Sequence, residues 1–406
     1  MSIAIDPVRL IARLNALGAT GRDAAGRLCR VAATDADKAG RDLLCRWLDE
    51  AGLRIEIDRI GNIYGIWSPE GTSGDPVMMG SHIDTVIDAG IYDGCYGVLS
   101  GLAVIEAMQA AKLRPARPVA VVAFTNEEGV RYAPDMMGSL VVSGGLGAEE
   151  ALATIGTDGL KLGAELARIG YSGTQEPGFL KPHAYVELHI EQGPMLEAEG
   201  LPLGAVETLQ GISWQKVTIG GTANHAGTTP MNLRQDAGVA AARTIAFLQQ
   251  MAHATKGAVA TVGTIAFSPN AINVIPSQAS FTVDMRNPEE TRLQGQEAAL
   301  EAFLSGLRSD GFTVTTERLA RFQPVTFAPE IVAAIEDSAA QRQLECRRMT
   351  SGAGHDAQMI ARIAPSAMIF VPSKGGISHN PAEFTADSDL IAGANVLLDV
   401  VRKLSQ

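Results

Sequence analysis

Apolar positions along this chain change period several times, and the changes mark its elements. In residues 41–51 (RDLLCRWLDEA), Leu43, Leu44, Trp47 and Leu48 share one helical face, and the N-terminal stretch MSIAIDPVRLIARLNALGAT reads as a second amphipathic helix. Short runs at 55–57 and 63–66 predict strands, and PVMMG at 76–80 predicts a third that leads into Ser81-His82. A small-residue helix over 98–111 is followed by the continuously apolar run PVAVVAFT at 118–125 and later by AYVELHI at 184–190, whose end turns polar. Strands apolar throughout and separated by helices predict a mostly parallel sheet covered on both faces.

The pattern changes near residue 211. From there the order is strand (213–219), helix (235–252), two strands (259–267 and 280–285), helix (288–307) and strand (311–317). That βαββαβ order is the ferredoxin-like split βαβ arrangement. Past about residue 329, helix, strand and helix resume, with 367–371 as an apolar strand. A chain of 406 residues exceeds what one core usually supports. The simplest organisation is one α/β domain, residues 1–210 and 328–406, interrupted by a small domain at 211–327.

Composition narrows the function classes. Hydrophobic residues make up 46% and charged residues 19%, which excludes wholesale disorder. A net charge of −12 without a basic run argues against nucleic acid as a partner. No apolar stretch approaches the roughly 20 residues of a membrane span, and the N-terminus lacks the basic-then-apolar pattern of a signal peptide. Cys29, Cys45, Cys95 and Cys346 form no CxxC, so neither a disulfide framework nor a cysteine zinc site is expected. The expectation is a cytoplasmic protein.

Chemistry concentrates where open α/β sheets place their sites, beyond strand ends. Five clusters stand there: Ser81-His82-Ile83-Asp84-Thr85, Asp93-Gly94, Asn126-Glu127-Glu128-Gly129, His189-Ile190-Glu191-Gln192-Gly193 and Gly376-Ile377-Ser378-His379-Asn380. They hold three of the seven histidines, several carboxylates and no cysteine in ligand spacing, a donor set for Zn²⁺, Mn²⁺ or a similar ion. In His82-Ile83-Asp84 the carboxylate is expected to hold the ring's second nitrogen. Of the adjacent Glu127 and Glu128, one can coordinate metal while the other accepts a proton. Each piece alone has a plainer reading, since a lone HxD is more often a loop histidine and paired glutamates often start a helix. Their convergence at strand ends favours a metal site. Cys95 reads as packing, His183 and His253 as surface or structural, and His355 as loop support through Asp356.

The motifs GSHIDTV, YDG, NEEG, HIEQGP, NHAGTTPM, SGAGHDA and GISHNPAE, in that order, resemble the M20 metallo-hydrolases and, within them, the hydantoinase/carbamoylase amidases. The resemblance implies an α/β di-metal aminopeptidase-like catalytic domain with an inserted ferredoxin-like dimerisation domain, and a homodimer. It implies two divalent metal ions per subunit, Zn²⁺ or Mn²⁺ with Co²⁺ or Ni²⁺ as further options. Asp93 would bridge them, with His82 and His189 completing one ligand set and Glu128 and His379 the other. Glu127 would be the general base, and Asp84 a further catalytic residue. His225 in NHAG would reach across the dimer to the developing oxyanion. Gln192, Asn273, Arg286 and Gly354 would contact substrate, with Arg286 as the carboxylate clamp.

The implied partner is a small ureido substrate bearing a carboxylate. Peptidases of the wider family carry a carboxylate where this chain has His189, which points away from an aminoacylase or dipeptidase. Trp214 favours an N-carbamoyl-L-amino acid over allantoate, whose enzymes resemble one another in a basic residue there. Allantoate amidohydrolase is the runner-up and β-ureidopropionase a third option. A metal-free binding protein on the same fold has no chemical need for five ligands plus Glu127.

Overall fold

The computed structural model describes residues 3–406. It divides into two compact units, one running to Glu207 and resuming over Phe327–Gln406, the other Thr208–Thr326. In the first unit, helices α1 (Pro7–Ala19) and α2 (Asp35–Glu50) precede strands β1 (Arg54–Ile57), β2 (Ile63–Trp67) and β3 (Val77–His82). Helix α3 (Cys95–Ala110) then leads to β4 (Val119–Phe124), β5 (Ala184–Ile190) and β6 (Leu203–Leu209). Asp6 caps α1 through the Arg9 N–H and Thr34 caps α2 through the Asp37 N–H, which starts α2 six residues before the helix read from Arg41.

The second unit contains β7 (Gly211–Gly220), β8 (Val259–Thr261), β9 (Ile265–Ser268), β10 (Gln278–Asn287) and β11 (Thr313–Phe322), with helices Ala237–Ala254 and Glu290–Ser309. Its sheet order is β11-β7-β10-β8, with β9 also on β10. The expected βαββαβ order is present, except that the strand read at 259–267 is two short pieces. Along β10 burial alternates strictly; Phe281, Val283 and Met285 enter a core with Leu293, Leu300 and Leu304.

The chain then adds β12 (Val325–Thr326), β13 (Cys346–Ser351) and β14 (Ser366–Val371). The larger sheet runs β1-β2-β4-β3-β5-β14-β6-β12, with β13 on β6. It is mixed rather than mostly parallel. Only β4, β3, β5 and β14 form a parallel core, while β1 on β2, β2 on β4 and β6 on β14 are antiparallel. The four core strands are buried at every position, which is why their sequences are mostly apolar. Helix α3 is buried on nearly every side, and no described helix is long and apolar enough to cross a membrane.

Candidate active site

The four parallel strands deliver the polar clusters to one edge of the sheet. His82 ends β3, His189 is the penultimate residue of β5, and Glu127 and Glu128 follow β4 by three and four residues. Asp93 immediately precedes Gly94, the N-cap of α3, and His379 lies on the loop after β14. Gly94 has φ +62°, and a Cβ there would lie 2.4 Å from the His82 ring, so only glycine lets the two segments pass this closely.

Asp93 is the hub. Its Oδ1 lies 3.5 Å from His82 Nε2 and 3.2 Å from His189 Nε2, and its Oδ2 lies 3.3 Å from His379 Nε2. Glu128 Oε2 is 3.3 Å from that His379 nitrogen, and Glu127 Oε2 is 3.4 Å from His82 Nε2. His82, His189 and Asp93 are buried, whereas the His379 side chain is 50% exposed, so the centre opens on the His379 side.

The outer edge of two rings decides what their inner edge offers. His82 Nδ1 is 3.0 Å from the Asp84 carbonyl and His189 Nδ1 is 2.8 Å from the Ile190 carbonyl. Carbonyls only accept, so each Nδ1 carries a hydrogen, and in its neutral form each ring turns an Nε2 lone pair toward Asp93. The Gly94 N–H donates to His189 Nε2 at 3.1 Å, in keeping with that tautomer. Lone pairs facing carboxylate oxygens call for a cation between them. Glu128 Oε1 is also buried without a hydrogen-bond partner. Two groups, His82-Asp93-His189 and Asp93-Glu128-His379, therefore fit divalent metal.

Titration follows the same crowding. Burial lowers the His82 pKa, but Glu127, Asp93 and Asp84 outweigh it and leave it well above the usual value. His379 is pushed up to about 9, first by its bond to Asp93. Burial raises Glu127 well above the ordinary carboxylate range, against the pull of His82, and pushes Glu128 up to about 8.

Asp84 departs from its expected role. Its carboxylate stays 4.0 Å from the His82 ring nitrogen, which its own backbone carbonyl has already taken. The carboxylate instead accepts the backbone N–H groups of Glu127 at 3.2 Å and Glu128 at 3.3 Å. Asp84 thus holds the backbone of the glutamate pair. Asp84→Asn keeps one acceptor and turns an amide N–H₂ toward the other donor. Activity is expected to fall about 10-fold, with roughly 1–3 kcal/mol of stability lost to an unsatisfied buried N–H. Kinetics and thermal unfolding check this, and wild-type values in both would remove the assignment.

His355 is also held differently. Asp356 receives the Ser139 hydroxyl at 2.5 Å, while His355 Nε2 lies 3.1 Å from Ser351 Oγ and its ring stands edge-on to His189 at 4.6 Å. His355 has extended backbone just before a helix, so it and Asp356 diverge. His183 and His253 are exposed, as expected, and Cys95 is buried, with its Sγ accepting from Arg30.

Glu187 and Glu383 escaped the sequence reading, and Ser378 was singled out there only as part of its cluster. Glu187 lies two positions before His189 on the same strand face and accepts from Ser81 Oγ (2.7 Å) and the Ala357 N–H (2.7 Å); the period of two was its signal. Glu383 accepts the N–H groups of Tyr92 (2.9 Å) and Asp93 (3.3 Å), and Ser378 Oγ donates to Asp93 Oδ2 at 2.9 Å. Both belong to the GISHNPAE motif. Gln192 Nε2 donates to Asp93 Oδ2 at 2.8 Å, and Gly354 packs against Met136. Asn126, Gln192 and His379 all have φ near +55°, left-handed backbone of the kind that gathers at functional sites.

The remaining expected residues belong to the second unit. His225 is exposed, and its Nδ1 accepts the Gly227 N–H at 3.0 Å, which leaves the ring hydrogen on Nε2 as an outward donor. The Ala226 N–H bonds the Asn273 carbonyl at 2.9 Å, so His225 and Asn273 share one loop pair. Arg286 lies on the face of β10 opposite the buried one, paired with Asp284 at 2.8 Å. Trp214 stands directly opposite Asp284 in the ladder.

An α/β sheet whose parallel edge gathers two imidazole–carboxylate groups around a shared aspartate defines a metallo-hydrolase class of site. Residues 78–403 match peptidase family M20/M25/M40, and the chain belongs to that family of linear-amide hydrolases. It is 40% identical over 402 residues to an N-carbamoyl-L-amino-acid amidohydrolase of Rhizobium meliloti, covering 98% of this chain and 96% of the relative. An allantoate amidohydrolase of Bacillus subtilis is 34% identical over 87% of each chain. A solved hydantoinase/carbamoylase family amidase from Burkholderia multivorans matches with a TM-score of 0.96 at 40% identity, over 99% of this chain and 98% of that one.

Proposed function

We propose that this chain is a metal-dependent amidohydrolase that cleaves the ureido bond of N-carbamoyl-L-amino acids, giving the amino acid, CO₂ and ammonia. The observation that carries the reading is the pair of imidazole–carboxylate groups sharing Asp93, with Glu127 beside them. His82 and His189 would hold one Zn²⁺ or Mn²⁺ ion with Asp93, and Glu128 and His379 a second. Such ions supply Lewis-acid polarisation and acidify water. Glu127 takes a proton from the attacking water and returns it to the leaving nitrogen; burial, which raises its proton affinity, suits both transfers. The enzyme works as a cytoplasmic homodimer, joined through the inserted domain, in which the His225 Nε2–H donates to the carbonyl oxygen as it becomes negative.

Trp214 supports this substrate over allantoate, while Arg286 suits the carboxylate that both substrates carry. The two residues occupy neighbouring positions on one sheet face, an apolar wall next to a carboxylate-binding fork. Parallel turnover assays with Mn²⁺ on N-carbamoyl-L-amino acids, allantoate and N-carbamoyl-β-alanine test the assignment. Highest kcat/KM on the first supports it, and preference for either of the others overturns it. Arg286→Lys is expected to raise KM about 10-fold with little change in kcat, because an ammonium cannot replace bidentate hydrogen bonds worth about 1.5–3 kcal/mol. An unchanged KM would remove the clamp.

A further inference from the structure

Arg30 lies outside residues 78–403, the stretch that matches the family, and its side chain is fully buried. Among the described residues its guanidinium bonds carbonyls and a sulfur rather than a carboxylate. Nε donates to the Ile83 carbonyl at 2.6 Å, Nη1 to the carbonyls of Leu17 (2.8 Å) and Thr20 (2.7 Å), and Nη2 to Cys95 Sγ at 3.0 Å. Its backbone N–H donates to Thr85 Oγ1, and its carbonyl accepts the Thr85 N–H, both at 3.0 Å.

Burying a charge without a counter-charge is costly, so these contacts ask for a reason. Two of the four guanidinium bonds fall on the segments that meet at the centre. Ile83 lies between His82 and Asp84, and Cys95 lies two residues past Asp93. Leu17 and Thr20 offer carbonyls at the end of α1, and the Leu17 carbonyl also accepts the Thr20 N–H at 3.0 Å. The planar fork therefore spans three segments from a fixed base. Helix α2 passes over the side chain at Gly40, where a Cβ would lie 2.5 Å from Arg30 Cδ.

We propose that Arg30 is a positioning residue for the metal centre, holding the His82–Thr85 turn and the head of α3 so that His82 and Asp93 keep their mutual placement. This rests on the ligand assignment proposed above. The test titrates metal-free wild type and Arg30→Lys with Zn²⁺ against a chelating indicator, then measures kcat and KM of the loaded enzymes. Arg30→Lys keeps the charge and loses the fork. It is expected to bind Zn²⁺ about 10- to 100-fold more weakly, the range for residues that orient ligands, with kcat reduced and KM little changed.

Arg342→Lys is the control. Arg342 bonds Asp399 and the Ile3 carbonyl and none of the ligand segments, so its change should lower Tm without altering Zn²⁺ affinity. Wild-type Zn²⁺ affinity in folded Arg30→Lys overturns the proposal, even if Tm falls. Should Arg30→Lys fail to fold, Gly40→Ala, which displaces the side chain without removing it, is read by the same criteria. If neither variant folds, Arg30 is a folding determinant and the proposal falls. If wild type takes up no Zn²⁺, the ligand assignment falls first and this inference with it.

Discussion

Glu127→Gln is expected to lower turnover by roughly 100-fold or more while the protein keeps its metal. The substitution preserves the shape of a side chain held by the Asp84 carboxylate through its backbone N–H and removes only the proton acceptor. Metal stays because His82, His189, Asp93, Glu128 and His379 supply the proposed ligands without it. Metal analysis beside steady-state kinetics separates the outcomes. Near-normal turnover with metal retained would remove Glu127 as the base, and loss of metal would make it a ligand.

His225→Ala carries the second large effect, a loss of about 3 kcal/mol in transition-state stabilisation, the scale of one oxyanion donor. Its Nε2 is an outward donor because Nδ1 is occupied by the Gly227 N–H. An exposed histidine that only decorated its loop would tolerate alanine. Mixing inactive Glu127→Gln with inactive His225→Ala subunits tests the cross-chain role. A mixed dimer has one site with both residues intact, so partial activity should return on subunit exchange. Proven heterodimers without recovery would show that His225 acts within its own chain or not at all.

Much of this centre was legible in the chain because its chemistry is local. Apolar runs such as PVAVVAFT could only be strands buried on both faces, and the polar residues that end them had to emerge at one edge if the strands were parallel. The alternation in β10 and the helical periods around it likewise announced the small unit's βαββαβ order. Even the diverging roles proposed for Glu127 and Glu128 follow from adjacency beyond a strand end.

Other features depended on partners distant in sequence. The sheet is mixed because β1, β2 and β6 find antiparallel neighbours, and ladder direction is a property of pairs that no single strand's composition records. Asp84 was expected under the His82 ring, but a carbonyl on the same residue reaches that nitrogen first, and the freed carboxylate meets N–H groups 43 and 44 positions away. Glu383 binds the Asp93 backbone across 290 residues, and Arg30 reaches Cys95 across 65. Residue type and spacing therefore determined which side chains could bind metal and where strands would present them. Which atoms hold those side chains in place was decided by folding, because hydrogen-bond donors and acceptors are chosen by distance in space.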